Sequence, residues 1–270
     1  AAQLSNYTSV VGVGGGRVLD AAKYAAGRAG LPMVAVATNL AHDGIASPVS
    51  ILEHDGTRSS NGVPIPAGVI VDLDVVRTAP ARFLGAGIGD VLSNLSAVAD
   101  WELARDTIGE AEDGLASSMA RTAALSLLHN PGSLSDTSFL TTLAEGLVMS
   151  GLAMAVAGNT RPCSGACHEI SHAIDRLFPE KSAPHGEQVG VGARFATYIR
   201  GDLETLGQMT ETLQRHGLPT VPADLGLNVE EFEKAVAFAP QTRPDRFTIL
   251  EHLAMDDTDV RDAVAGFLAL

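Results

Sequence analysis

Residues 9–37 constrain the fold more than any other stretch. SVVGV reads as a short buried strand, GGG as a turn, VLDAAKYAAGRAG as a helix with a glycine exit, and MVAVA as a second buried strand. This is a βαβ pattern, which calls for a parallel sheet with a helix packed on it. Gly14, Gly15 and Gly16 fall between strand and helix, where backbone N–H groups and the positive end of the helix dipole can hold a pyrophosphate with no side chain in the way. GVGGGR does not complete the dinucleotide fingerprint, because Arg17 stands where its last glycine belongs. A tight turn required only for steric reasons is the equal alternative.

The loop TNLAHDGIASP follows the second strand, at the carboxyl edge of a parallel sheet, where ligands bind. Thr38, His42, Asp43 and Ser47 offer donors and acceptors there; an ordinary capping loop is the plainer reading. VSILEHDGTRSS reads as a hairpin around Asp55 and Gly56, and GVIVDLDVV as a further strand that closes the sheet region. From Thr78 onward the patterns are helical with almost no strand signal, Thr78 and Pro80 being suitable start residues. The expected division is a nucleotide-binding α/β domain over residues 1–80 and an all-helical domain over 81–270. GAGIGDVLSNLSAVADWELA places Leu92, Leu95, Val98 and Leu103 on one helical face. Asp90, after a glycine pair, suits a helix cap or the third ligand that a two-histidine metal site needs. Gly146–Gly158 reads as a buried core helix too short to span a bilayer.

Thr160–Gly192 holds the densest chemistry. His168 and His172, four residues apart, share one face of a helix. His185, between Pro184 and Gly186, reads as the start of a second helix, so imidazoles from two elements can converge. Imidazole suits zinc and ferrous iron. A packed or solvated histidine pair is the commoner outcome of such spacing. A closed zinc site of Cys163, Cys167, His168 and His172 is the less favoured alternative, since four ligands would wrap one ion within ten positions.

Charge narrows the partners. The formal net charge is −14, from 18 Lys and Arg against 32 Asp and Glu, with no basic cluster, which argues against non-specific nucleic-acid binding. Hydrophobic residues at 46% indicate a globular chain. Two cysteines make no disulfide framework, AAQLSNYTS lacks the regions of a signal peptide, and a reducing cytoplasm is expected.

GGGRVLDAAK, HDGIASP, GIGDVLSNLSAVADWELA, SGACHEISHAID and HGEQVGVG, in this order, closely resemble the glycerol-1-phosphate dehydrogenase family, within the glycerol dehydrogenase, dehydroquinate synthase and iron-dependent alcohol dehydrogenase superfamily. The resemblance implies a Rossmann-like nucleotide-binding α/β domain, a helical domain and a metal in the cleft between them. It implies Asp90, His168 and His185 as ligands of Zn2+ or Fe2+, with His172 near the substrate and Asp43 near its reacting carbon. Gly15, Gly16, Asp20, Thr38 and Ser47 match positions that contact NAD(P). The implied reaction reduces dihydroxyacetone phosphate or a related hydroxyketone, a small-molecule substrate, in a protein expected to be a homo-oligomer. Arg161 is the candidate for the phosphate, against a structural role at the end of a helical region. Cys167 replaces a usual Glu, and Asn94 a frequent Lys. The βαβ region that precedes the glycine turn in the family is not in this chain, so the N-terminal part of the nucleotide domain is expected to be missing. A cyclase of the dehydroquinate synthase type and a metal-binding remnant without catalysis are the alternatives.

Overall fold

A computed structural model describes residues 6–54 and 57–270. Strand β1 (Val10–Gly14), helix α1 (Gly16–Ala29) and strand β2 (Met33–Ala37) form the expected βαβ unit. The strands are parallel, in register from Val10 opposite Met33 to Gly14 opposite Ala37. Helix α1 buries Leu19, Lys23 and Ala26, at helical spacing, and ends at Gly30, whose φ of 65° opens the left-handed turn that sends the chain back. A single 3-10 turn, Asp43–Ile45, follows β2 within the HDGIASP loop.

Strands β3 (Val49–His54) and β4 (Thr57–Gly62) pair antiparallel as the predicted hairpin, in a sheet of their own; its turn residues Asp55 and Gly56 lie outside the described residues. Strand β5 (Gly68–Val71) joins β2 in parallel, giving the order β1-β2-β5. Only the first half of GVIVDLDVV is strand. The Asp72 carboxylate accepts N–H bonds from Asp74 and Val75 and starts the short helix α2 (Leu73–Val76).

Helices then run without interruption by strands: α3 (Ala81–Ile108), α4 (Gly114–Leu128), α5 (Thr137–Ala157), α6 (Ala166–Leu177), α7 (His185–Ile199), α8 (Leu203–Arg215), α9 (Val229–Phe238), α10 (Ile249–Leu253) and α11 (Asp257–Leu268). The expected apolar face of α3 is only part of what it buries. Every residue from Leu84 to Asn94 is buried, because α4, α5, α6, α7 and α8 all pack on this one helix. The core helix read over Gly146–Gly158 extends back to Thr137. At 21 residues, α5 is long and apolar enough to cross a membrane by length and composition, so the expectation of too short a run is corrected; Phe139, Leu140, Leu143 and Leu147 pack it into the protein core.

The two larger of three apolar clusters among the described residues organise the molecule. The first joins Leu19, Met33 and Leu40 to Ile88, Leu92, Leu127 and Leu140, and so runs across residue 80. The second gathers Ile170, Ile174, Phe195, Phe232 and Phe267. Helices α6 and α7 belong to both, through Cys167, Val189 and Ala193 on one side and Ile170, Val191 and Phe195 on the other. Their relative position is therefore held from two sides.

Candidate metal centre

Glycines bring α3 and α7 into backbone contact. A Cβ added to Gly89 would run into the Gly186 carbonyl, and one added to Gly186 into the Ala86 carbonyl; Gly190 lies 3.3 Å from the Gly89 Cα by the same measure. This approach places Asp90, the residue after Gly89, against His185, the first residue of α7 after Pro184. Gly192 in turn lets α7 close on α6 at the Cys167 backbone. Asp100, fully buried on α3, accepts the Ala166 N–H at 2.8 Å and so caps the N-terminus of α6, two residues before His168.

Asp90, His168 and His185 converge, each offering one ligand atom, all within 4.8 Å of one another. The two histidines face each other through Nε2 at 3.2 Å, and His185 Nε2 stands 3.8 Å from Asp90 Oδ1. Their other ring nitrogens are engaged: His185 Nδ1 with Ser171 Oγ at 3.3 Å, and His168 Nδ1 with Cys167 Sγ at 3.3 Å. The Cys167 thiol donates onward to the Ser93 carbonyl at 3.9 Å, so its sulfur accepts from His168 Nδ1–H and leaves the Nε2 lone pair facing into the converging group, toward His185 Nε2. Burial pushes His168 well below the imidazole range, helped by His185, His172, Arg243 and Arg246. Burial and the neighbouring Asp43 carboxylate push Asp90 well above the carboxylate range. Two imidazoles, that of His168 kept neutral by burial, beside a buried carboxylate fit a divalent cation, which supplies the charge that this place otherwise lacks.

Asp43 lies directly beside this group. Its backbone N–H donates to Asp90 Oδ2 at 2.7 Å, and burial raises its own carboxyl to about 6. Asp90 is thus inside a long helix and not at its cap. His42 links the metal group to the glycine turn. Its ring lies 6.4 Å from that of His185, and a Cβ on Gly16 would meet its imidazole. Gly15 faces the Asn39 amide in the same way, at 2.5 Å, so a side chain at either glycine would have to displace a side chain of the loop. Thr38 donates its N–H to the Gly14 carbonyl at 3.1 Å, beside the turn. Asp20 and Ser47 meet elsewhere, at the fully buried Lys23, which pairs with Asp20 at 2.9 Å, contacts Ser47 O and Oγ at 3.4 Å and donates to the Val49 carbonyl.

The remaining sequence candidates separate. Cys163 donates to the Ser150 carbonyl at 3.3 Å, and Asn94 to Ser150 Oγ at 2.8 Å. Arg161 is engaged bidentately by Glu110 at 2.7 and 2.6 Å and by the Phe247 carbonyl at 2.9 Å. His172, one turn beyond His168 with ring centroids 6.4 Å apart, accepts at Nε2 from Arg243 at 3.2 Å. Sequence reading missed Lys23, Asp100, Arg243 and Arg246. The signal for the last two was the RPDR turn, two cations within four residues of an acidic chain.

The family model for iron-containing alcohol dehydrogenase matches residues 1–80. The chain is 40% identical over 255 residues to a glycerol-1-phosphate dehydrogenase [NAD(P)+] of Archaeoglobus fulgidus, covering 92% of this chain and 72% of that protein. It is 39% identical to one from Pyrococcus furiosus, covering 89% and 69%. Among solved structures, a probable glycerol dehydrogenase from Sinorhizobium meliloti superposes with a TM-score of 0.77 at 25% identity, over 97% of this chain and 77% of that one. Glycerol dehydrogenase from Schizosaccharomyces pombe shares the fold, with a TM-score of 0.76 at 24% identity over 96% and 69%. With this identity spread over more than two thirds of those relatives, the chain belongs to the glycerol-1-phosphate dehydrogenase family.

Proposed function

We propose that the protein is an NAD(P)-linked oxidoreductase that reduces dihydroxyacetone phosphate to sn-glycerol-1-phosphate, with a divalent ion held by Asp90, His168 and His185. The observation that carries this reading is the convergence of these three donors beneath the HDGIASP loop, with His42 bridging from them to the glycine turn. When bound, zinc or ferrous iron supplies Lewis acidity at the ketone oxygen and NAD(P)H supplies hydride.

The chain's own residues do the rest. Gly15 and Gly16 sit at the N-terminus of α1, which carries no side-chain cap, and the pyrophosphate is received there once the His42 imidazole that fills the space above Gly16 turns aside. Thr38 lies beside them, while Asp20 and Ser47 act from the Lys23 network beneath the loop. Asp43 orients Asp90 through its backbone and presents its carboxyl toward the reacting carbon. His172, its Nε2 accepting from Arg243, stands beside the substrate and orients the water that delivers a proton to the product oxygen. Residues 1–80 serve the nucleotide and 81–270 the metal and substrate, in a cytoplasmic homo-oligomer that acts on a small molecule and not on nucleic acid.

Product analysis tests the proposal. Zinc-loaded protein given dihydroxyacetone phosphate should oxidise NAD(P)H stoichiometrically and release sn-glycerol-1-phosphate. Cyclisation of a sugar phosphate without net cofactor turnover would replace this reading with a cyclase, and failure to bind either nucleotide with a remnant.

A further inference from the structure

We infer that Arg243, supported by Arg246, receives the phosphate of the substrate and sets the preference for phosphorylated over free hydroxyketones. The inference rests on the function proposed above and deepens it.

Position comes first. Arg243 donates to His172 Nε2 at 3.2 Å, and His172 lies one helical turn from His168, on the side of α6 that carries the metal group. In dihydroxyacetone phosphate the phosphate follows the carbonyl carbon after one methylene and one ester oxygen. A carbonyl seated at His168 and His185 has room to extend its phosphate past His172, and Arg243 and Arg246 are near enough for their charges to act on His168. The guanidinium is half-buried, with a single hydrogen bond among the described residues, and so retains donors for a planar, two-point grip on phosphate oxygens.

Charge is the second ground. Arg243 and Arg246 make no ion pair among the described residues, although the chain has 32 carboxylates for 18 cations. They lie close enough to repel one another, and Arg161 repels Arg246 as well. Arg246 is tied to the Ser164 carbonyl and, at 2.9 Å, to Thr160 Oγ1, which are neutral groups. The carboxylate that acts on both, Glu169, is buried and bonded to Thr248 Oγ1 at 3.1 Å, and Glu110, which acts on Arg246, is held by Arg161. Asp245, between the two arginines, is exposed. Two half-buried guanidiniums without a paired carboxylate are costly until an anion joins them, and a phosphate dianion fits that deficit.

Arg161 is the competing cation, and its geometry removes it. Glu110 holds both nitrogens of its fork, and its remaining Nη1 is buried without a partner, out of reach of a ligand entering from solvent.

The test compares kcat/KM for dihydroxyacetone phosphate and for dihydroxyacetone in the zinc-loaded enzyme. Arg243→Gln keeps an N–H for His172 but removes the charge and the fork, and should lower the ratio of the two values by about 10- to 100-fold. Inhibition by inorganic phosphate, competitive with the phosphorylated ketone, should weaken by a similar factor. Arg243→Lys should recover part of the ratio, because an ammonium keeps the charge without the fork. Should Arg243→Gln fail to fold, Arg243→Lys decides the matter through a smaller fall in the ratio. Equal losses on both substrates, or an unchanged ratio and phosphate inhibition, would overturn the assignment while leaving the proposed reaction intact. A wild-type enzyme that prefers the unphosphorylated ketone would overturn both.

Discussion

The two halves of the site are built by different means. Around the glycine turn, side chains set the geometry: Lys23 gathers Asp20, Ser47 and Val49, and the imidazole of His42 fills the space above Gly16. Around the metal group, backbone sets it: Gly89, Gly186 and Gly190 let α3 and α7 touch, and both α6 and α7 are anchored in two apolar clusters. Side chains can rotate to absorb a change, whereas packed backbone cannot. The metal half should therefore be brittle toward added atoms, and the nucleotide half toward lost charge.

The largest expected effect breaks the nucleotide half. Lys23→Met leaves Asp20 buried without its partner and should cost about 3–5 kcal/mol in urea unfolding, whereas Lys23→Met with Asp20→Leu should recover most of that. If the single variant is as stable as the parent, the ion pair does not hold the loop.

Gly186→Val follows at about 3 kcal/mol or more, since the new side chain meets the Ala86 carbonyl on a buried helix. Gly16→Ala, which meets a rotatable imidazole, should cost about 1 kcal/mol. Equal costs in thermal or urea denaturation would erase the contrast between the halves. Loss of cofactor affinity in Gly16 variants is not by itself a pyrophosphate signature, because His42 already occupies that space.

Metal linkage comes next. Zinc at about a hundred times its dissociation constant should raise wild-type stability by about 2.7 kcal/mol. His185→Ala should bind no stoichiometric zinc and show no such gain. Cys163→Ser with Cys167→Ser should keep the ion, because neither thiol belongs to the converging group; loss of zinc there would restore the cysteine site.

The smallest effect lies outside both halves and serves as their control. His216 stacks on Phe139 with centroids 4.6 Å apart, and burial, aided by Arg215, lowers its pKa below the usual 6.5. The unfolded chain then binds the proton at higher pH than the folded one, so this contribution is complete above about 6.5 and is lost as pH falls through that value toward the lower folded pKa. His216→Leu should flatten that part of the pH–stability curve without altering zinc content.

Local order was legible from the residues. The strand–glycine–helix–strand pattern of 9–37, the hairpin strands, the start of α3 after Pro80 and the start of α7 at His185 all rest on periodicity and capping among close neighbours, and each formed where expected. The spacing of His168 and His172 likewise predicted a shared helical face. Spacing by itself did not tell the two apart, and only the family resemblance separated them; in the structure His172 meets Arg243, 71 positions away, while His168 meets His185 and Asp90.

Tertiary structure alone decided which charged groups meet. Asp90 read as a cap, the commoner role, or as a ligand until α3 proved continuous on both sides of it; from Leu84 to Asn94 α3 is buried all round, which hides the amphipathic signal there. The sequence offered Arg161 as the cation for a phosphate and passed over Arg243. Glu110 took the first, and the turn after α9 carried the second to His172. The reason is physical: helical and strand periods are fixed by backbone geometry within a few residues, whereas ion pairing depends on which distant surfaces can approach. Here that approach was governed by the side chains missing at Gly89 and Gly186.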